Sequence, residues 1–131
     1  MISLHDHHIL EFSVDVANRR LRFATELRTE SGSRRAAGVF DGVEAYVVYG
    51  DMLGTIIFGI DEVDPIALYD EHAENMQATH RRSGGHAPWV VGRGDAVRFF
   101  ASNGVRGFDL SSSIGCTGAI WARSYRAEWT G

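Results

Sequence analysis

Lysine is absent from these 131 residues, so all fixed positive charge comes from 13 arginines. Uniform use of arginine matches the codon bias of an Arg-favouring genome and by itself says nothing about guanidinium chemistry. A lone cysteine, Cys116, excludes an internal disulfide and agrees with a reducing compartment. No run approaches the ~20 apolar residues that span a bilayer. Met1-Ile2-Ser3-Leu4 meets His5-Asp6-His7-His8 before an apolar stretch of signal-peptide length develops, so a cytoplasmic, non-membrane protein is expected.

The most informative absence is local. Between Arg35 and Arg81 there is no arginine, while nine carboxylates accumulate: Asp41, Glu44, Asp51, Asp61, Glu62, Asp64, Asp70, Glu71 and Glu74. Both flanking segments are net positive, so a total of −4 conceals a strongly anionic middle third. Such a block repels phosphates, which argues against nucleic acid as a partner. No aromatic and basic motif of the usual RNA-binding kind offsets that.

What is present reads as one ordinary folded domain over residues 1–131, with 44% hydrophobic and 23% charged residues. Leu10, Phe12, Val14 and Val16 alternate with polar residues, and Leu21, Phe23, Thr25 and Leu27 repeat the pattern, so two strands are expected. Ala17-Asn18-Arg19 joins them, with Asn18 supplying the left-handed residue. Residues 29–34 read as a polar loop. A third strand is expected from Ala36, with a bulge at Gly42 before Ala45–Tyr49 resume. Gly50-Asp51 turns, and Thr55–Ile60 forms a fourth strand.

The spacing predicts one helix over about 64–82. Asp64 caps it, Pro65 fits the first turn, and Ile66, Tyr69, Ala73, Met76 and His80 share a stripe. Trp89–Val91 and Val97–Ala101 read as short strands, Asn103-Gly104 as a hairpin turn, and Val105–Leu110 as a strand with a bulge at Gly107. Residues 111–118 read as a small-residue loop before a long final strand, 119–129, with Trp121, Arg123, Tyr125 and Trp129 on one side. Together these elements give a mainly β, α+β domain: two antiparallel sheets, as a sandwich or partly open barrel, with one packed helix.

No motif spells a reaction, so no catalytic residue and no cofactor are assigned. His5, Asp6 and His7 are the densest group of metal-ligand types. In a strand His5 and His7 face one way and Asp6 and His8 the other, so a site needs His72, His80 or His86 from elsewhere. A capping or hydrogen-bonded edge is the plainer reading. Cys116 lacks the helix N-terminus or base that would activate a thiol. Gly92-Arg93-Gly94 has Val97 where a phosphate loop needs its third glycine, and Arg93-Gly94-Asp95 reads as a turn.

Two groups of residues carry a resemblance. His5-Asp6-x-x-Ile9 with Phe12-Ser13-Val14-Asp15 and Asn18-Arg19-Arg20-Leu21-Arg22-Phe23 is the first. The second is Phe40-x-Gly42-Val43-Glu44-Ala45-Tyr46 with Gly50-Asp51-x-Leu53-Gly54-Thr55-Ile56-Ile57. With the segment 99–107, these matches cover a little over half the chain and resemble small bacterial domains, some grouped with immunity proteins of polymorphic toxin systems. The resemblance implies a non-enzymatic interaction module that neutralises a basic, toxin-like protein. Asp51, Asp61, Glu62, Asp64, Asp70, Glu71 and Glu74 are the expected partner contacts, since an acidic face steers a basic partner. The alternative function is a metal- or small-ligand-binding β-protein, hydrolytic in its strongest form, built on His5, Asp6 and His7.

Overall fold

A computed structural model describes residues 1–50, 55–83, 87–113 and 117–131. Among the described residues eight strands form two four-stranded antiparallel sheets. The first sheet holds β1 (His8–Asp15), β2 (Arg20–Thr29), β3 (Gly32–Asp41) and β8 (Ser124–Trp129), in the order β1-β2-β3-β8. The second holds β4 (Ala45–Tyr49), β5 (Ile57–Val63), β6 (Arg106–Ser112) and β7 (Thr117–Ala122), in the order β4-β7-β6-β5. Among the described residues they remain two sheets and do not close into a barrel, so the expected α+β class holds.

One bent ribbon joins the sheets. β3 leads into β4 across residues 42–44, β7 leads into β8 across Arg123, and the two bends lie side by side. Gly42 makes the bend possible with φ +65°, a left-handed conformation that a Cβ disfavours. Backbone bonds from Arg123 N–H to Asp41 O (3.0 Å) and from Glu44 N–H to Trp121 O (2.8 Å) hold the corner. Elsewhere residues 6–9 meet residues 55–57 through three backbone hydrogen bonds, which tie the β1 side of one sheet to the β5 side of the other.

Two cores follow from this layering. Leu21, Phe23, Phe40, Phe108, Leu110 and Ile120 pack between the sheets. Leu68, Tyr69, Trp89, Phe100, Ala119 and Trp121 fill the space between the second sheet and the helices. Each such Leu or Phe side chain stabilises by about 1.5–3 kcal/mol when fully buried. β7 serves both cores, which explains why Gly118–Ala122 reads as an uninterrupted buried run instead of alternating.

Helix α1 (Pro65–Ser83) forms where its stripe and cap predict. Asp64 Oδ1 accepts the Ile66 N–H at 3.2 Å, and Tyr69 and Met76 are buried with Leu68. Tyr69 O–H donates to Val90 O at 2.6 Å, fixing a 3₁₀ turn (Pro88–Val90) against the helix.

Several expectations need correction. The expected strands at Trp89–Val91 and Val97–Ala101 are instead that 3₁₀ turn and a second helix, α2 (Arg93–Asn103). Ala96 and Phe100, four apart, are its buried face, and tertiary burial outweighs the strand preference of Val97, Phe99 and Phe100. Asn103-Gly104 ends that helix and is no hairpin turn: Gly104 has φ +63° and donates to Phe100 O. Residues 29–34 are a tight hairpin, because the β2–β3 ladder continues to Thr29 and Gly32. Arg19 and not Asn18 takes the left-handed conformation, at φ 51°, while Asn18 bonds the Asp15 carboxylate.

Gly107 pairs regularly and forms no bulge; the irregularities fall at Ile9/Glu11 and Ile57/Gly59. The loop expected over 111–118 is wrong at both ends, as β6 runs to Ser112 and β7 starts at Thr117; residues 114–116 lie outside the described residues. The expected strand 119–129 is broken at Arg123, so its aromatics do not share a side. Trp121 packs under the helices, whereas Tyr125 and Trp129 pack between the sheets.

Candidate functional site

The carboxylates of the anionic middle third separate into two populations. Four are matched by arginines from the chain ends. Asp41 accepts from Arg20 (2.7 Å) and Arg126, and Glu44 holds Arg19 (2.8 Å) and Arg123 (2.9 Å). Glu62 takes two bonds from Arg106, and Asp70 pairs with Arg93 at 2.9 Å. The hydrogen bond from Arg20 is the main reason the Asp41 carboxyl sits below its ordinary range, and Arg106 does the same for Glu62. Of the expected contacts, Glu62 and Asp70 are thus neutralised, and Asp51 lies outside the described residues.

Among the described residues the second population has no guanidinium partner, although His72 Nε2 lies 3.9 Å from Glu71 Oε1. Asp61, Asp64, Glu71 and Glu74 are exposed, and no arginine of the described residues pairs with them. Asp64 is occupied in part by capping α1. Asp61 on β5 lies directly across from Asp109 on β6, and α1 lays Glu71 close to Asp109. Three elements thereby bring three carboxylates together. Burial is the main cause of a raised Asp109 pKa; Glu71 and Asp61 raise it further and His72 opposes them. The His72 ring stacks on Tyr49 at 5.9 Å, and Asn75 donates to the Tyr49 hydroxyl at 2.6 Å, so the edge of the cluster is braced.

Asp109 is the member that charge counting along the chain misses, because it lies beyond the arginine-free segment. The signal was its position between Phe108 and Leu110. Those two face the inter-sheet core, which turns Asp109 to the helix side.

Of the N-terminal ligand types, His5 and Asp6 meet at the surface, Nε2 to Oδ1 at 3.4 Å, while His7 turns into the core. His5 is exposed with Nδ1 2.7 Å from Phe58 O, Asp6 is exposed at φ 68°, and His7 is 1% exposed. Among the described residues no three His, Cys, Asp or Glu side chains are placed to hold a metal ion. His72 and His80 are far apart in role: the latter accepts the Ala87 N–H on Nε2 at 3.3 Å. His86 and Cys116 lie outside the described residues.

His7 has a structural task. Thr25 O–H donates to Ala36 O (3.3 Å), so the Thr25 oxygen accepts from His7 Nδ1 (2.9 Å), and the ring stacks on Trp129 at 5.6 Å. Burial lowers its pKa from 6.5, against a smaller raising effect of Asp6. The unfolded chain therefore binds the proton more readily. Stability from neutral His7 is full above pH 6.5 and declines as pH falls toward the folded pKa. Urea midpoints measured at about pH 7.5 and about pH 5.5 are expected to drop on acidification, and His7→Gln to flatten the drop.

No family model, no curated protein and no solved structure matches this chain.

Proposed function

We propose that the chain is a non-enzymatic interaction module of the immunity type, which takes a basic, toxin-like protein on the face formed by Asp61, Glu71 and Asp109, flanked by Asp64 and Glu74. The observation that carries this reading is selective compensation. Arginines reach across the fold to neutralise Asp41, Glu44, Glu62 and Asp70, yet among the described residues none pairs with the three converging carboxylates, beside which His72 is the one cationic type, its Nε2 3.9 Å from Glu71 Oε1. Like charges held together cost stability, and a cationic partner would remove that cost on binding. Uncompensated negative charge also accelerates encounter with a basic protein at low salt. A bacterial, cytoplasmic setting belongs to the same proposal.

The test pairs the chain with the product of the neighbouring reading frame in a bacterial host. Co-expression of the native chain is expected to protect cells, and the double reversal Glu71→Lys, Glu74→Lys to weaken binding of the purified partner about 100-fold or more. Glu128→Lys, on the outer face of the other sheet, is expected to change binding little. Equal affinity of the double reversal and the native chain would remove this face from the interface.

A further inference from the structure

We infer that a second site, independent of the acidic face, lies where the bent ribbon meets the helices, and that it takes a small planar aromatic molecule carrying one negative group. Its cavity has a volume of about 540 Å³, within the range of small-ligand sites, and is lined by Arg19, Glu44, Arg123, His80, Trp89 and Phe99.

The charge of this cavity follows from its ion pairs. Arg19 from the β1–β2 turn and Arg123 from the β7–β8 bend both approach the same oxygen, Glu44 Oε1. The Glu44 side chain is only 8% exposed, whereas those of Arg19 and Arg123 are 60% and 39% exposed. Two guanidiniums on one sequestered carboxylate leave a net single positive charge facing the cavity. Arg19 spends one N–H group on Glu44; Arg123 also donates from Nε to Asn103 O at 3.0 Å. Each retains further N–H donors, in the planar geometry that suits a carboxylate or phosphate.

The backbone is bent to hold both arginines in place. Arg19 has φ 51°, unusual for a residue with a Cβ. Gly42, at φ +65°, is pressed by the Arg123 stem, whose Cβ, Cγ and Cδ lie 2.9, 3.0 and 3.1 Å from where a glycine-replacing Cβ would be. Non-standard conformations on both sides of one carboxylate concentrate where function is served. In the same lining Phe99 stacks on Trp89 at 5.9 Å and 16°. Trp89 is buried and Phe99 partly exposed, so a ligand ring extends that stack from the Phe99 side.

Two fluorescent probes test this: anilinonaphthalene sulfonate, an aromatic anion, and N-phenylnaphthylamine, its near-neutral analogue. The anion is expected to bind the native chain with one-to-one stoichiometry, and the neutral probe about tenfold more weakly or worse. Arg19→Gly relieves the left-handed turn, so its thermal midpoint should not fall, while it should weaken anion binding about tenfold. Glu44→Gln should tighten anion binding by exposing more positive charge. If that variant melts early, the Arg19→Gly and neutral-probe arms decide. Anion binding that survives Arg19→Gly, or equal affinity for the two probes, overturns the assignment.

Discussion

Replacing Trp121 by alanine is expected to cost about 3–5 kcal/mol, the range for removing a large buried aromatic. Trp121 is fully buried at the centre of the helix-side core, with the ring centroids of Trp89 and His72 at 6.4 and 6.3 Å. Its indole N–H donates to Pro65 O at 3.1 Å, so the side chain also pins the first turn of α1 to β7. A domain of this size has total stability on the order of 5–15 kcal/mol, so the variant sits near the threshold of folding. Trp121→Phe separates the effects: it keeps most of the ring and loses the hydrogen bond, at about 1 kcal/mol for that bond. Urea unfolding measures both. A loss below about 1 kcal/mol for the alanine variant would mean that the helices are not docked on β7 as described.

Gly107→Ala is the second large effect. A Cβ on Gly107 would lie 2.9 Å from Pro65 Cα, 3.1 Å from Val63 O and 3.2 Å from Pro65 N. All three are backbone atoms, so no side-chain rotation relieves the contact. β5 and the start of α1 must move together away from β6, and such overpacking typically costs about 1–3 kcal/mol or more. Gly104→Ala is the comparison. Nothing lies within 4 Å of that position, and only its φ of +63° opposes the substitution, at about 1 kcal/mol. Thermal melts that rank Gly104→Ala as the more damaging change would contradict the close approach of α1 to β6.

These two positions show where sequence patterns served and where they failed. The alternation of Leu21, Phe23 and Thr25, and the cap and stripe of α1, are local signals, and the corresponding elements form. Gly107 carried only the local meaning of glycine in a strand, whereas its cause is a helix end arriving from 42 residues earlier, at Pro65. Helix α2 is hidden in the sequence because Asn-Gly serves equally as a hairpin turn and as a helix end, and the burial of Ala96 and Phe100 decides between them. The acidic segment was legible as composition. Its partition was not, since Arg126 meets Asp41 across 85 residues and Arg106 meets Glu62 across 44. Composition therefore proposed seven partner contacts, of which Glu62 and Asp70 are neutralised by arginines.

Asp61, Glu71 and Asp109 form a cluster that no arginine of the described residues pairs with, kept at a cost to the fold. Asp109→Asn tests it most directly, by thermal unfolding of the free chain across pH. The folded pKa of Asp109 is raised, so its penalty is absent below the unfolded value of 3.8 and grows as pH rises through the folded value. Asp109→Asn is expected to raise the melting temperature at neutral pH and to have little effect at about pH 3. A variant that melts lower than the native chain at neutral pH would show that the Asp109 charge is satisfied, and the cluster would lose its claim to be a binding surface.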